Sequence, residues 1–204
     1  MYAAVDALLE RLSPKLENPS IKRLRRNEPH GGKVILPAGF EHLAAVKRDY
    51  YLWPCLVGRF QRRNFSLEFI PHGPKGRCLA AAEFRLPMPF DFVLTTHLPQ
   101  RDFSSFGDMG LDRSRFTLPS ESGWQGRWYG LSYEPDRASE FLAKEENRLL
   151  IEALAPFERL SCSVRFLRLT VAISEPRHLD GEVWERLLDR LASLVSILEA
   201  GEVG

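Results

Sequence analysis

Histidine and cysteine are the residues that most often ligate metals or act as nucleophiles. His30, His42, His72, His97 and His178 are scattered along the chain. No two stand four residues apart, as a helical zinc pair requires, and none joins a cysteine at zinc-finger spacing. Cys55, Cys78 and Cys162 are odd in number and far apart, with no CxxC pair. Neither a disulfide framework nor a zinc ribbon is suggested. Cys78 and Cys162 fall on the apolar phase of alternating segments, so they read as buried free thiols of a reducing compartment. The sequence has no nucleophile elbow, phosphate-binding P-loop or dinucleotide fingerprint. It therefore predicts no metal and no cofactor.

Two carboxylates and two basic stretches remain as chemistry. Asp91 and Asp108 lie near turns, where an acid could face a cleft. Neither has a base or nucleophile at a defined spacing, so Asp91 reads as a strand-start residue and Asp108 as a turn residue beside Gly107 and Gly110. The stretch 71–77 holds glycines and cations, as an anion site would. A phosphate cradle leads into a helix, however, and this stretch joins two strands, so it reads as a hairpin loop. Arg59, Arg62 and Arg63 interleave with Phe60 and Phe65. The phenylalanines share the phase of the buried face, which makes this a solvated edge rather than a nucleic-acid ribbon.

Aromatic residues with polar handles are the better candidates for recognition. Tyr50, Tyr51 and Trp53 form one group, and Trp124, Trp128 and Tyr129 another. Such side chains are enriched at interfaces and in ligand clefts, although they are also ordinary residues at the rim of a core. These six are the candidate interaction surface.

The elements that must position them follow from periodicity. Phe65, Leu67 and Phe69 alternate with Asn64, Ser66 and Glu68. Cys78, Ala80, Ala82, Phe84 and Leu86 alternate against Glu83 and Arg85, and Phe90, Phe92, Leu94 and Leu98 repeat the pattern. This is a sheet with one greasy face and one wetter face. Further strands are expected over 52–60, where Pro54 suggests an edge or a bulge, over 127–133, and over 160–173 with a phase slip after Phe166.

Val5, Leu8, Leu9 and Leu12 make a helical stripe that Pro14 closes. A short helix is expected over 40–51. Another starts at Pro135 and runs to Leu154, with a kink near Asn147. Trp184, Leu187, Leu188, Leu191, Leu194, Val195 and Leu198 mark the clearest helix, with Asp180 as N-cap and Gly201 as its stop. Residues 13–33 read as a basic connector, and 99–126 as one long loop of the kind that is usually functional or mobile.

With 28 basic against 27 acidic residues, net charge +1, no global field draws this chain to nucleic acid or an anionic membrane. No apolar run reaches the roughly 20 residues that cross a bilayer, and no signal peptide is visible, so a cytoplasmic protein is expected.

From Leu56 onward the order of elements resembles an uncharacterised family of bacterial α+β domains. The likeness lies in Gly58-Arg59 with its strand, the Phe84-to-Leu94 strand pair split by Pro87 and Pro89, and the Trp128 strand. It continues through the helix that follows Asp136, the Leu160-to-Ile173 strands and the final helix. In that family the domain often lies beside membrane-spanning helices, which this chain lacks. The resemblance implies a fold and no activity.

The expected architecture is α+β, a mostly antiparallel sheet of about five to seven strands with amphipathic helices packed on one face. Residues 1–33 are expected to form an N-terminal helix and connector, an arm on the body or on a second copy, and 34–204 a single domain. The expected function is a non-catalytic protein-interaction or scaffold module whose partner is another protein or a second copy. Two alternatives stand beside it: a pocket protein holding an apolar small molecule between sheet and helices, and an enzyme with a dispersed site near 99–126. No nucleic acid is expected as partner.

Overall fold

Period-two alternation and helical stripes divide the chain into a sheet layer and a helix layer. A computed structural model describes both over residues 1–22, 54–71, 78–96, 114–119 and 128–200. The described strands are β1 (Glu17–Lys22), β2 (Cys55–Phe60), β3 (Arg63–Pro71), β4 (Cys78–Arg85), β5 (Phe92–Thr95), β6 (Ser114–Phe116), β7 (Tyr129–Ser132), β8 (Arg159–Ser163) and β9 (Phe166–Ile173). They form one sheet of nine strands, in the order β1-β2-β3-β4-β9-β8-β5-β7-β6. Every neighbouring pair is antiparallel. The described α-helices are α1 (Tyr2–Leu12), α2 (Pro135–Ala143), α3 (Glu145–Glu152) and α4 (Gly181–Ala200). The fold is α+β, with more strands than the five to seven expected.

One face of the sheet carries the core. Phe65, Leu67 and Phe69 of β3, Ala80, Ala82 and Phe84 of β4, and Phe92 and Leu94 of β5 are all buried there. The same cluster includes Val5, Leu8, Leu9 and Leu12 of α1 and Trp184, Leu188, Leu191 and Leu198 of α4. Phe65 and Phe84 are partners across β3–β4, with ring centroids 5.2 Å apart. Burying each such large side chain contributes roughly 1.5–3 kcal/mol, which is what ties the helices to this face.

Local signals then set the helix ends. Asp180 Oδ1 accepts a hydrogen bond from the Val183 N–H at 3.0 Å, as an N-cap does. The buried Trp184 satisfies its indole by donating to the His178 carbonyl at 2.9 Å. The stop expected at Gly201 lies outside the described residues. α1 is clamped over the start of α4. Arg11 Nε donates to Glu185 at 2.8 Å, and a Cβ at Gly181 would stand 2.2 Å from Arg11 Cδ. The hydrogen bond from Arg11 holds the Glu185 carboxyl below its ordinary value.

Four local expectations are corrected. The connector over 13–33 contains a 3-10 turn, Ser13–Lys15, and then β1, an outer strand of the sheet. β1 hides no face, so it shows no alternation, and Asn18 sits at positive φ in its bulge. Pro54 stands just before β2, which is an interior strand. The kink expected near Asn147 is a full break three residues earlier, at Lys144, whose ψ of 122° is extended. Asn147 instead bridges the break: its Nδ2 donates to the Phe141 carbonyl at 2.8 Å. Finally, part of the stretch 99–126 is strand β6. The helix expected over 40–51 lies outside the described residues.

Chain order is not sheet order. β4 and β5 are consecutive among the described strands, yet the β8–β9 hairpin stands between them. The segment with Pro87 and Pro89 steps across the tip of that hairpin, where the Leu86 and Met88 N–H groups donate to the Arg165 and Val164 carbonyls. The phase slip after Phe166 is this hairpin's turn, since Ser163 and Phe166 are direct partners.

Candidate functional site

The second face of the sheet, expected to be the wetter one, carries polar residues that are buried at its centre. Ser66, Glu83, Arg168 and Ser161 are successive partners across β3, β4, β9 and β8. Glu83 is 3% exposed, and a buried carboxylate has to be paired. Arg85 Nε donates to its Oε1 at 2.6 Å, and Arg168 Nε to its Oε2 at 2.6 Å. Both lobes of the carboxylate are thereby occupied.

Asp91 is also structural. It lies buried just before β5, and its Oδ1 accepts the Tyr133 N–H at 2.8 Å. Its carbonyl accepts the Ser132 hydroxyl at 2.6 Å. Asp108 lies outside the described residues, as do residues 72–77 of the glycine-rich loop.

Two of the three arginines of this edge are engaged within the protein. Arg59 Nη2 donates to the Arg62 carbonyl at 2.8 Å, and Arg63 Nε donates to Glu199 at 3.0 Å. Phe60 and Phe65 are turned into the core. Cys78 and Cys162 are buried free thiols and Cys55 is half-buried. Burial pushes the thiols of Cys55 and Cys78 up to about 11. Of the five histidines His178 is described, with Nδ1 3.4 Å from the Ser174 nitrogen. Among the described residues, no group of His, Cys, Asp and Glu side chains could hold a metal ion.

Of the six aromatic candidates, Tyr50, Tyr51, Trp53 and Trp124 lie outside the described residues. Trp128 and Tyr129 stand together at the start of β7 and line an open cleft of about 280 Å³ at the end of the sheet. Trp128 rests against Phe157, with ring centroids 4.4 Å apart. Tyr129 is 38% exposed and lies under the Arg115 guanidinium, 5.3 Å from its ring centroid. That distance is cation–π range.

Sequence reasoning missed the part of the lining that β6 supplies, Arg115 and Phe116. Phe116 pairs with Gly130 across β6–β7, and its ring lies over that glycine. A Cβ at Gly130 would come within 2.6 Å of Phe116 Cζ. A glycine inside an alternating strand marks such a close approach, so Gly130 carried a signal for this part of the lining.

No protein-family model, curated protein or solved structure matches the chain. No described helix is long and apolar enough to cross a membrane.

Proposed function

We propose that this protein is a non-catalytic binding module that engages another protein at the cleft lined by β6 and the start of β7. The observation that carries this reading is the stacked pair of Arg115 and Tyr129, with Trp128 in the same lining. Arginine, tyrosine and tryptophan dominate the few residues that supply most interface energy. Tyrosine and tryptophan offer large contact area at low cost in side-chain freedom. Further support comes from the groups that could have done chemistry. Asp91 and Glu83 are committed to hydrogen bonds within the fold, and the Cys55 and Cys78 thiols are held protonated.

A photoreactive residue placed at Tyr129 tests the reading, with Leu149 of α3, 52% exposed, as the control position. Illumination in cells is expected to trap one defined protein from position 129 and not from 149. Equal trapping from both positions, or none from 129, would remove this reading.

A further inference from the structure

We propose that the occupant of this cleft is an extended acidic peptide segment, with a carboxylate on Arg115 and its backbone laid along β6. The inference rests on the cleft being a binding site and adds the chemistry of what fills it. β6 is last in the sheet order, and among the described residues β7 alone pairs with it. A terminal strand presents backbone N–H and C=O groups to which an added strand can bond. β6 is only three residues long, so backbone bonds need a side-chain anchor beside them.

Arg115 supplies that anchor. Arg11, Arg63, Arg137 and Arg177 each lie within ion-pair distance of a glutamate, namely Glu185, Glu199, Glu134 and Glu175. Arg115 is exposed and, among the described residues, meets the Tyr129 ring and no carboxylate. A guanidinium resting on an aromatic face keeps the N–H donors along its edge free, and that fork matches a carboxylate.

The cleft lies just under the roughly 300–1,000 Å³ of small-molecule pockets and is open, which suits the side chains of a strand better than an enclosed ligand. Arg115 is the one cation among the described lining residues, which favours a carboxylate over a nucleic-acid backbone, held by several cations at once.

The test uses the full chain, labelled with nitrogen-15. It is titrated with a blocked peptide alternating threonine and glutamate, with its threonine–lysine counterpart, and with a single-stranded oligonucleotide. The glutamate peptide is expected to shift the amides of Arg115, Phe116 and Gly130. Arg115→Glu should weaken it by about tenfold or more and favour the lysine peptide, because the charge match is reversed. The melting temperature should stay unchanged, since Arg115 is exposed and stands outside the core.

Equal binding of the lysine peptide, shifts elsewhere on the chain, a silent glutamate peptide, or an oligonucleotide occupying the cleft would each overturn the inference. If position 129 still traps a defined protein while the glutamate peptide leaves the cleft unmoved, the acidic class alone fails. Failure of both experiments removes the docking reading itself.

Discussion

Glu83 on β4 and Arg168 on β9 face each other directly across the ladder, with Arg168 Nε 2.6 Å from a carboxylate that is 3% exposed. Arg85 holds the other oxygen from two residues along the same strand. Removing one member of a fully buried pair costs about 3–5 kcal/mol, because a charge is left without compensation. Here the cations reach water, with Arg85 at 65% and Arg168 at 30% side-chain exposure. Glu83→Gln should therefore cost less, about 2 kcal/mol. Arg168→Ala should cost about as much, and Arg85→Ala under about 1 kcal/mol, as for a surface pair. Urea denaturation of the three variants checks the ranking; a neutral Glu83→Gln would show that the pair does not hold these strands.

The β2–β3 hairpin turns on Gln61 and Arg62, at φ 49° and 66°. Two consecutive residues at positive φ between the partners Phe60 and Arg63 make a type I′ turn, which prefers Asn-Gly. The left-handed region costs an ordinary residue about 1–2 kcal/mol, and glycine returns part of that gain as chain entropy. Gln61→Asn combined with Arg62→Gly should stabilise the protein by about 1 kcal/mol and raise the melting temperature by a few degrees. The Arg62 carbonyl that accepts the Arg59 guanidinium is backbone and survives the change. A lower melting temperature would contradict this account of the turn.

Gly130 makes room for Phe116. Gly130→Ala should drive the ring off its site, loosen β6 and cost about 1–3 kcal/mol. Phe116→Leu in the same chain should recover part of the loss, since the colliding ring is gone. The reading is a double-mutant cycle in thermal unfolding. Strict additivity would mean that the two residues do not share one space.

The Cys55 and Cys78 thiols are pushed up from an ordinary 9.0 to about 11 by burial. A raised value favours the protonated form in the folded state. Its contribution to stability is complete below pH 9 and is lost as the pH rises toward 11. Two consequences are expected. At pH 7.5 the folded chain should react with iodoacetamide at these positions about a hundredfold more slowly than the urea-unfolded chain. Stability should also decline between pH 9 and 11. Rapid alkylation of Cys55 or Cys78 in the folded chain would contradict the burial argument.

Much of the fold was readable one segment at a time. The stripe of Leu187, Leu188, Leu191 and Leu198 and the alternation of Phe65, Leu67 and Phe69 are written in residues two to four positions apart. A helix or strand that buries one face must repeat at those intervals. Asp180 announced its cap in the same way. β1 was not readable, because an outer strand exposed throughout save for the partly buried Ile21 has no period to display. The cleft was half readable: Trp128 and Tyr129 stood out by type, while Arg115 and Phe116 lay in a stretch without pattern.

Long-range pairing is a different kind of information. Glu83 and Arg168 are 85 positions apart in the chain. Nothing near either one says that they meet, or that a residue on the polar phase of its strand will be buried. The insertion of the β8–β9 hairpin between β4 and β5, and the placing of Arg115 over Tyr129, depend likewise on which strands find each other. Local alternation chooses the face a side chain takes; the global packing of the sheet chooses its neighbour, and through the neighbour its charge environment and its exposure.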